Sequence, residues 1–168
     1  MPSSVEQVRT QIVAALNTIH PSTVIDGVAL RSDVKQVNLS LSDLSSMTLF
    51  PQIDLLIPEY KVELYSTNGN SLKTTIPFRI GGYCEGATGT TTNNETNVGV
   101  EILKLSIDVV TVLRSNWITN IAGSPAWQID MENGLTPRFW FDWKNNSRKA
   151  MFRLDFVVVR VGHCANDL

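Results

Sequence analysis

The side chains best able to transfer protons in this sequence are Asp54, Glu59, Asp108, His20 and His163. Carboxylates and histidines act as general acids and bases only where they converge on one substrate. These five residues fall on different predicted elements without a recognisable spacing, and no nucleophile stands with a partner base. We therefore predict that the chain is not an enzyme, and an acid–base site drawn from these residues is kept as an alternative.

Residues that could hold a metal or a cofactor are sparse. The sequence has two cysteines, Cys84 and Cys164, and neither belongs to a C-x-x-C pair. His163 and Cys164 resemble half of a metal site, which nothing else completes. The stretch EGATGTTTNN at 85–94 has neither a Walker pattern nor G-x-G-x-x-G. We expect no metal and no cofactor, and we interpret 85–94 as a flexible loop that leads into a helix.

An aromatic run, RFWFDW, occupies residues 138–143. In a strand Phe139, Phe141 and Trp143 share one face and Trp140 lies on the other. Such side chains usually belong to a core or an interface. A stacking platform would need basic companions, and four lie near in sequence: Arg138, Lys144, Arg148 and Lys149. A small-ligand or carbohydrate binding module built on this run is therefore an alternative function.

Length and charge describe one ordinary domain. The chain has 168 residues, a net charge of −2 and a charged fraction of 18%, so we treat 1–168 as a single domain. The net charge gives no basic footprint for nucleic-acid backbone recognition, but it allows nucleic acid to pass nearby without binding. A sparsely charged surface favours burial in an assembly. We expect no signal peptide and no membrane span.

The last long strand organises the predicted fold. In KAMFRLDFVVVRV, residues 149–161, apolar and polar residues alternate at first, as in a strand with one buried face. From Val157 onward both faces are apolar, which indicates a second cover at that end. We therefore select Val157, Val159 and Val161 as candidate subunit-interface residues.

Two helices carry the predicted helical layer. The first follows a capping box formed by Ser3 and Glu6, and its apolar stripe continues to Ile19 before His20-Pro21 ends it. The second runs from about Glu95 to Arg114 and has two apolar stripes that we expect to lie side by side. One stripe is Val98, Ile102, Leu105, Val109 and Val112, and the other is Val100, Leu103, Ile107 and Val110. We select Val100, Leu103 and Ile107 as further interface candidates.

The remaining patterns predict strands and turns. A buried strand over residues 49–57 precedes a hairpin whose strands, 61–65 and 72–80, flank Asn68-Gly69. Gly81-Gly82 predicts a bend or bulge. Residues 28–48 are a candidate extended arm that docks on a neighbour. The order of elements predicts an α+β fold, a mostly antiparallel sheet packed with one N-terminal and one mid-chain helix.

This order of elements resembles the tail-terminator and tail-completion (neck) proteins of tailed bacteriophages. The resemblance covers most of the chain. It lies in the opening helix VEQVRTQIVAALNTI, the Pro-led strand FPQIDLLIPE with its hairpin, the helix before a strand pair, and the closing strand FRLDFVVVRV. The segment SLSDLSSM and the loop EGATGTTTNN have no counterpart that we can match to the family.

The resemblance implies a structural virion protein that forms a ring, usually a hexamer, at the head-proximal end of the tail tube. Its implied partners are further copies of itself, the tail tube protein, and connector or sheath proteins of the neck. DNA would pass through the lumen without specific binding, and no membrane would be involved. The protein would belong to the virion, and to the host cytoplasm during assembly. A sheath terminator and a head–tail adaptor ring are the alternatives within this group.

Overall fold

The structure, a computed structural model, describes residues 4–64, 71–86, 94–116, 127–129, 134–141 and 148–163. Two helices, α1 (Ser4–Leu16) and α2 (Asn94–Asn116), accompany nine strands. The strands are β1 (Val24–Ile25), β2 (Val28–Ala29), β3 (Gln36–Asn38), β4 (Gln52–Leu56), β5 (Lys61–Leu64), β6 (Ser71–Glu85), β7 (Trp127–Ile129), β8 (Arg138–Phe141) and β9 (Lys149–His163).

The centre of the molecule is a pair of long strands. β6 and β9 each contain 15 residues and pair antiparallel along their whole length, from Ser71 opposite His163 to Glu85 opposite Lys149. The final strand was predicted to be long, and it is. Strands of this length exceed the usual ~5–6 residues. The β6–β9 ladder is the longest in the described sheet.

Along its outer edge, each central strand pairs with two short strands, one after the other. β4 and β5 both pair antiparallel with β6, and β7 and β8 both pair antiparallel with β9. β3 lies outside β4 and is parallel to it, so the described sheet is mostly antiparallel. The predicted 61–65/72–80 hairpin pairing is confirmed by the β5–β6 register, while its turn lies outside the described residues. The 87–93 part of the predicted flexible loop also lies outside them.

Both helices lie on one face of this sheet. Val8, Ile12, Leu16 and Ile19 are buried, although α1 ends at Leu16 rather than beside His20. The first predicted stripe of α2 is also buried against Ile76, Phe78, Ile80, Phe152, Leu154 and Phe156 of β6 and β9. The architecture is α+β, as predicted. In the described part of the chain no helix is both long and apolar enough to cross a membrane.

The glycine pair in β6 was predicted wrongly. Gly81 and Gly82 continue the regular ladder, opposite Arg153 and Phe152, without a bulge. Their role is to leave room for aromatic rings on opposite faces of the sheet. A Cβ on Gly81 would lie 2.8 Å from the Tyr83 hydroxyl oxygen, and one on Gly82 would lie 2.0 Å from Cε1 of Phe152. The missing side chains thus serve packing instead of backbone flexibility.

We expect Gly82→Ala to lower the free energy of unfolding by about 3 kcal/mol, because the new methyl group overlaps the ring of Phe152. That ring is fully buried. Gly99→Ala is the matched control, since its Cβ would meet only Cε1 of Phe141, at 4.0 Å, and an interior helical alanine stabilises by about 0.5–1 kcal/mol. Urea denaturation measures both. Equal stabilities for the two variants would contradict this packing account.

The candidate arm at 28–48 packs on its own subunit over much of its length. β1 and β2 form a tight hairpin whose central residues, Asp26 and Gly27, have φ of 50° and 79°, as a type I′ turn requires. β3 then joins the sheet edge, and the side-chain amine of Lys149 donates a hydrogen bond to the carbonyl of Met47 at 2.8 Å. Docking of this segment on a neighbouring subunit stays a prediction.

Candidate functional site

The outer side of α2 carries an apolar stripe that none of the described residues covers. Val100, Leu103 and Ile107 are exposed by 45%, 51% and 45%. Because an α-helix has 3.6 residues per turn, these residues lie on the side of α2 opposite its buried stripe, and not beside it as we predicted. We call Val100, Leu103 and Ile107 the α2 stripe. These apolar side chains are in contact with water, whereas similar side chains on the opposite side of α2 are buried in the core.

Polar residues mark one margin of the α2 stripe. Lys104 donates a hydrogen bond to Glu101 at 2.8 Å, one helical turn apart and partly exposed. An exposed pair of this kind contributes only ~0.2–0.5 kcal/mol to helix stability. Val110, the fourth apolar residue of the predicted second stripe, is half-buried and packs against the core. The α2 stripe is thus a narrow apolar surface with a charged margin.

The valines of β9 lie on a different surface. Val157 and Val159 are half-buried on the face of the sheet that points away from the helices. The side chain of Val161 lies outside the described part of the chain. The structure therefore divides the interface candidates between two surfaces, one on α2 and one on the outer sheet face.

β5 and β7 lie at the same level of the sheet, on its two opposite edges. Lys61 of β5, Thr75 of β6, Val159 of β9 and Gln128 of β7 form one row across it. All four residues of β5 are exposed, including Val62 at 48% and Leu64 at 70%. Within the described residues no other strand pairs with the outer edge of β5 or of β7. Open strand edges are templates for pairing with another chain.

The two buried carboxylates of the proposed acid–base pool bind backbone. Oδ2 of Asp108 accepts the N–H groups of Arg31 and Ser32 at 3.0 and 2.7 Å. Asp54, completely buried, accepts from the Ser42 N–H at 2.5 Å and also from the side-chain amides of Asn38 and Gln52. Each carboxylate therefore holds part of the 28–48 segment in place.

Other members of that pool are dispersed. His20 contacts Asp33 through Nε2 at 3.1 Å and accepts from the Ser22 N–H through Nδ1, all near the surface. Glu59 is exposed beyond the end of β4, and the His163 side chain lies outside the described part. The structure thus assembles no shared site from the described members. In the described residues no cluster of three or more histidine, cysteine, aspartate or glutamate side chains could hold a metal.

Tyr83 is buried on the face of the sheet that points away from the helices. Its hydroxyl donates to the carbonyl of Ser42 at 3.4 Å, and its ring lies over Gly81. Burial, with the neighbouring Asp54 carboxylate, raises the pKa of Tyr83 to about 12. Burial likewise raises the pKa of the Cys84 thiol, which disfavours a reactive thiolate. Both side chains are buried.

The described aromatic residues of β8 do not form one platform. Phe139 lies opposite Phe152 and Trp140 opposite Met151, so the two rings point to opposite faces of the sheet. They are exposed by 39% and 44%. Trp143 and the side chain of Trp127 lie outside the described part of the chain. The described members of the stacking surface proposed from RFWFDW are thus divided between the two faces of the sheet, with Phe139 and Phe141 on one face and Trp140 on the other.

Sequence reasoning missed a charged cluster at the middle of the outer sheet face. Asp155 accepts from Nε of Arg79 at 2.9 Å and binds Arg153 through Nη2 at 2.7 Å. Partial burial raises the pKa of Asp155, but the hydrogen bonds from Arg153 and Arg79 outweigh it and hold this pKa below its usual value. Arg79 and Asp155 are 76 residues apart, so only the strand register could have revealed the cluster.

No model of a known protein family matches the sequence. No curated protein matches it significantly either.

Proposed function

We propose that this chain is a structural virion protein that forms a ring, most simply a hexamer, at the head-proximal end of a phage tail. The ring would end tube growth and join the tail to the head while DNA passes through its lumen. The observation that carries the proposal is the exposed α2 stripe of Val100, Leu103 and Ile107. The resemblance in the order of elements, stated above, supplies the biological setting.

The α2 stripe supports self-association because its exposure has a free-energy cost that a neighbour can remove. Fully burying a Val, Leu or Ile side chain contributes roughly 1.5–3 kcal/mol, and these three side chains are about half exposed. A helix that carries a second apolar stripe where a polar side is usual is typically buried on both sides. A stable contact also needs on the order of 1,200–2,000 Å² of total buried surface, so the stripe would be only its centre.

The strand edges allow the kind of contact that a ring requires. β5 runs in the direction of β9 and β7 in that of β6, because each neighbour across the row is antiparallel. The β7 edge of one subunit would therefore meet the β5 edge of the next in antiparallel pairing. Such a contact joins two different surfaces, and heterologous contacts close into rings when the rotation divides the circle.

The charge of the chain is compatible with the proposed passage of DNA. A net charge of −2 per subunit leaves little attraction for phosphates. The proposed mechanism is geometric: one face of the ring binds the last tube ring, and the other lacks a surface on which the tube could grow. No chemical step is needed.

Electron microscopy of virions that contain this chain, labelled with an antibody against it, tests the proposal. We expect label only at the junction of head and tail. Label at the end of a sheath, or at the portal, would support the sheath-terminator or adaptor alternative instead. Label along the whole tail, or none on the virion, would contradict the proposed function.

A further inference from the structure

A groove crosses the middle of the outer sheet face, on the side away from the helices. It has a volume of about 630 Å³. Its walls come from the places where the two outer strand rows are interrupted, around Pro58 and Glu59 on one side and around Gly134 and Thr136 on the other. Pro77 and Val157 of the central strands lie between these walls.

Three arginines and two carboxylates line the groove. Arg79, Arg153 and Arg138 come from β6, β9 and β8, and the acidic groups are Asp155 and Glu59. The formal charge of the lining is therefore positive by one. Asp155 uses Nε of Arg79 together with Nε and Nη2 of Arg153. A guanidinium has five N–H donors, so most donors of this cluster are not taken by Asp155.

The strand register places two of these arginines side by side. Arg138 stands directly opposite Arg153 in the β8–β9 ladder. Like charges in directly opposite positions destabilise a sheet, since their Cβ atoms are only about 4.5–5.5 Å apart. In the described part of the chain Asp155 bonds Arg153 and Arg79, and no acceptor takes Arg138. An incoming anion between the two guanidiniums would relieve this repulsion.

We infer that the groove binds a carboxylate side chain of an acidic peptide segment from a partner protein. A guanidinium fork matches a carboxylate in bidentate geometry, and such charge-assisted pairs are the strongest hydrogen bonds available at a surface. Pro77, Pro58 and Val157 supply apolar contact for the methylene stem of a glutamate. This inference rests on the cluster alone and does not depend on ring formation.

Nucleic acid fits the groove less well than an acidic peptide. Binding a phosphate backbone depends on many lysine and arginine contacts along its length. Here Asp155 and Glu59 lie among the arginines and would repel successive phosphates. A single carboxylate can pair with the guanidinium of Arg138, to which neither Asp155 nor Glu59 is bound in the described part of the chain. We therefore commit to the peptide and treat DNA as a competing outcome.

The test uses the full chain with ¹⁵N-labelled arginine, observed through the Nε–H signals by NMR. The probes are a capped peptide of alternating Glu and Gly, the same peptide with Gln for Glu, and a short DNA duplex. We expect the Glu peptide to shift Arg79, Arg138 and Arg153 saturably and the Gln peptide to leave them unchanged. Arg138→Gln should weaken the affinity by about tenfold or more, the loss of one charged hydrogen bond.

Arg114→Gln is the matched control, because Arg114 is an exposed arginine at the end of α2 and its loss changes the net charge equally. It should leave the affinity unchanged. The inference is overturned if no saturable shift occurs, or if Arg138→Gln and Arg114→Gln weaken binding alike. It is also overturned if the DNA duplex saturates the three arginines and the Glu peptide does not. Both variants remove an exposed side chain and should fold.

Discussion

Replacing Leu103 by glutamate is expected to convert the proposed ring to monomers while leaving the subunit folded. Leu103 is 51% exposed at the centre of the α2 stripe, so a charge there is solvated in the free subunit. In a ring the same charge would be buried without a partner, which costs several kcal/mol per contact. Light scattering after size-exclusion chromatography measures the mass, and far-UV circular dichroism checks the fold.

Leu49→Glu is the control for the Leu103 variant. Leu49 is 43% exposed and lies outside α2, so the same change of an exposed leucine should leave the oligomer intact. If the Leu103 variant kept the mass of the unmodified protein, the α2 stripe would not be a subunit contact. Monomerisation of both variants alike would indicate a general loss of association instead of a specific surface.

Replacing Asp54 by alanine is expected to lower the free energy of unfolding by about 3–5 kcal/mol. The substitution leaves the Ser42 N–H and the amide groups of Asn38 and Gln52 without their buried acceptor. An unsatisfied group costs about 1–3 kcal/mol where it is buried, as the Gln52 amide is, and less at the partly buried Ser42 and Asn38. Urea denaturation measures the loss, and hydrogen exchange should show lost protection first around Ser42.

Asp33→Ala is the control for the Asp54 variant, within the same 28–48 segment. Asp33 pairs with Lys35 and His20 at the surface, where ion pairs contribute little. Its removal should leave the unfolding curve unchanged within error. An Asp54→Ala variant as stable as Asp33→Ala would mean that the buried carboxylate does not hold the segment.

The helices and the long strand could be predicted from sequence because their signals are local. The buried stripe of α2, from Val98 to Val112, follows the helical period, and the alternation after Lys149 follows the strand period. The same reasoning predicted that α2 has exposed apolar side chains, because a helix with two apolar stripes has more apolar surface than one sheet can cover. It misjudged only where the second stripe lies around the helix.

The contacts that sequence reasoning missed join residues far apart in the chain. Asp108 binds the N–H groups of Arg31 and Ser32 across 77 and 76 residues, and no local pattern announces that pairing. The Gly81-Gly82 pair was predicted to form a bulge because the ring of Phe152, which needs the space at Gly82, is placed there only by the β6–β9 register. The groove lined by Arg79, Arg138 and Arg153 could not be predicted for the same reason, because these residues come from three different strands.

The central proposal, that copies of this chain cover one another's apolar surface in a closed ring, is tested most directly by native mass spectrometry of the unmodified protein. The measurement is made at micromolar concentration without any tail tube present. We predict a single closed oligomer, most simply six copies of the 18.6 kDa chain. A spectrum containing only the monomer would contradict the proposal.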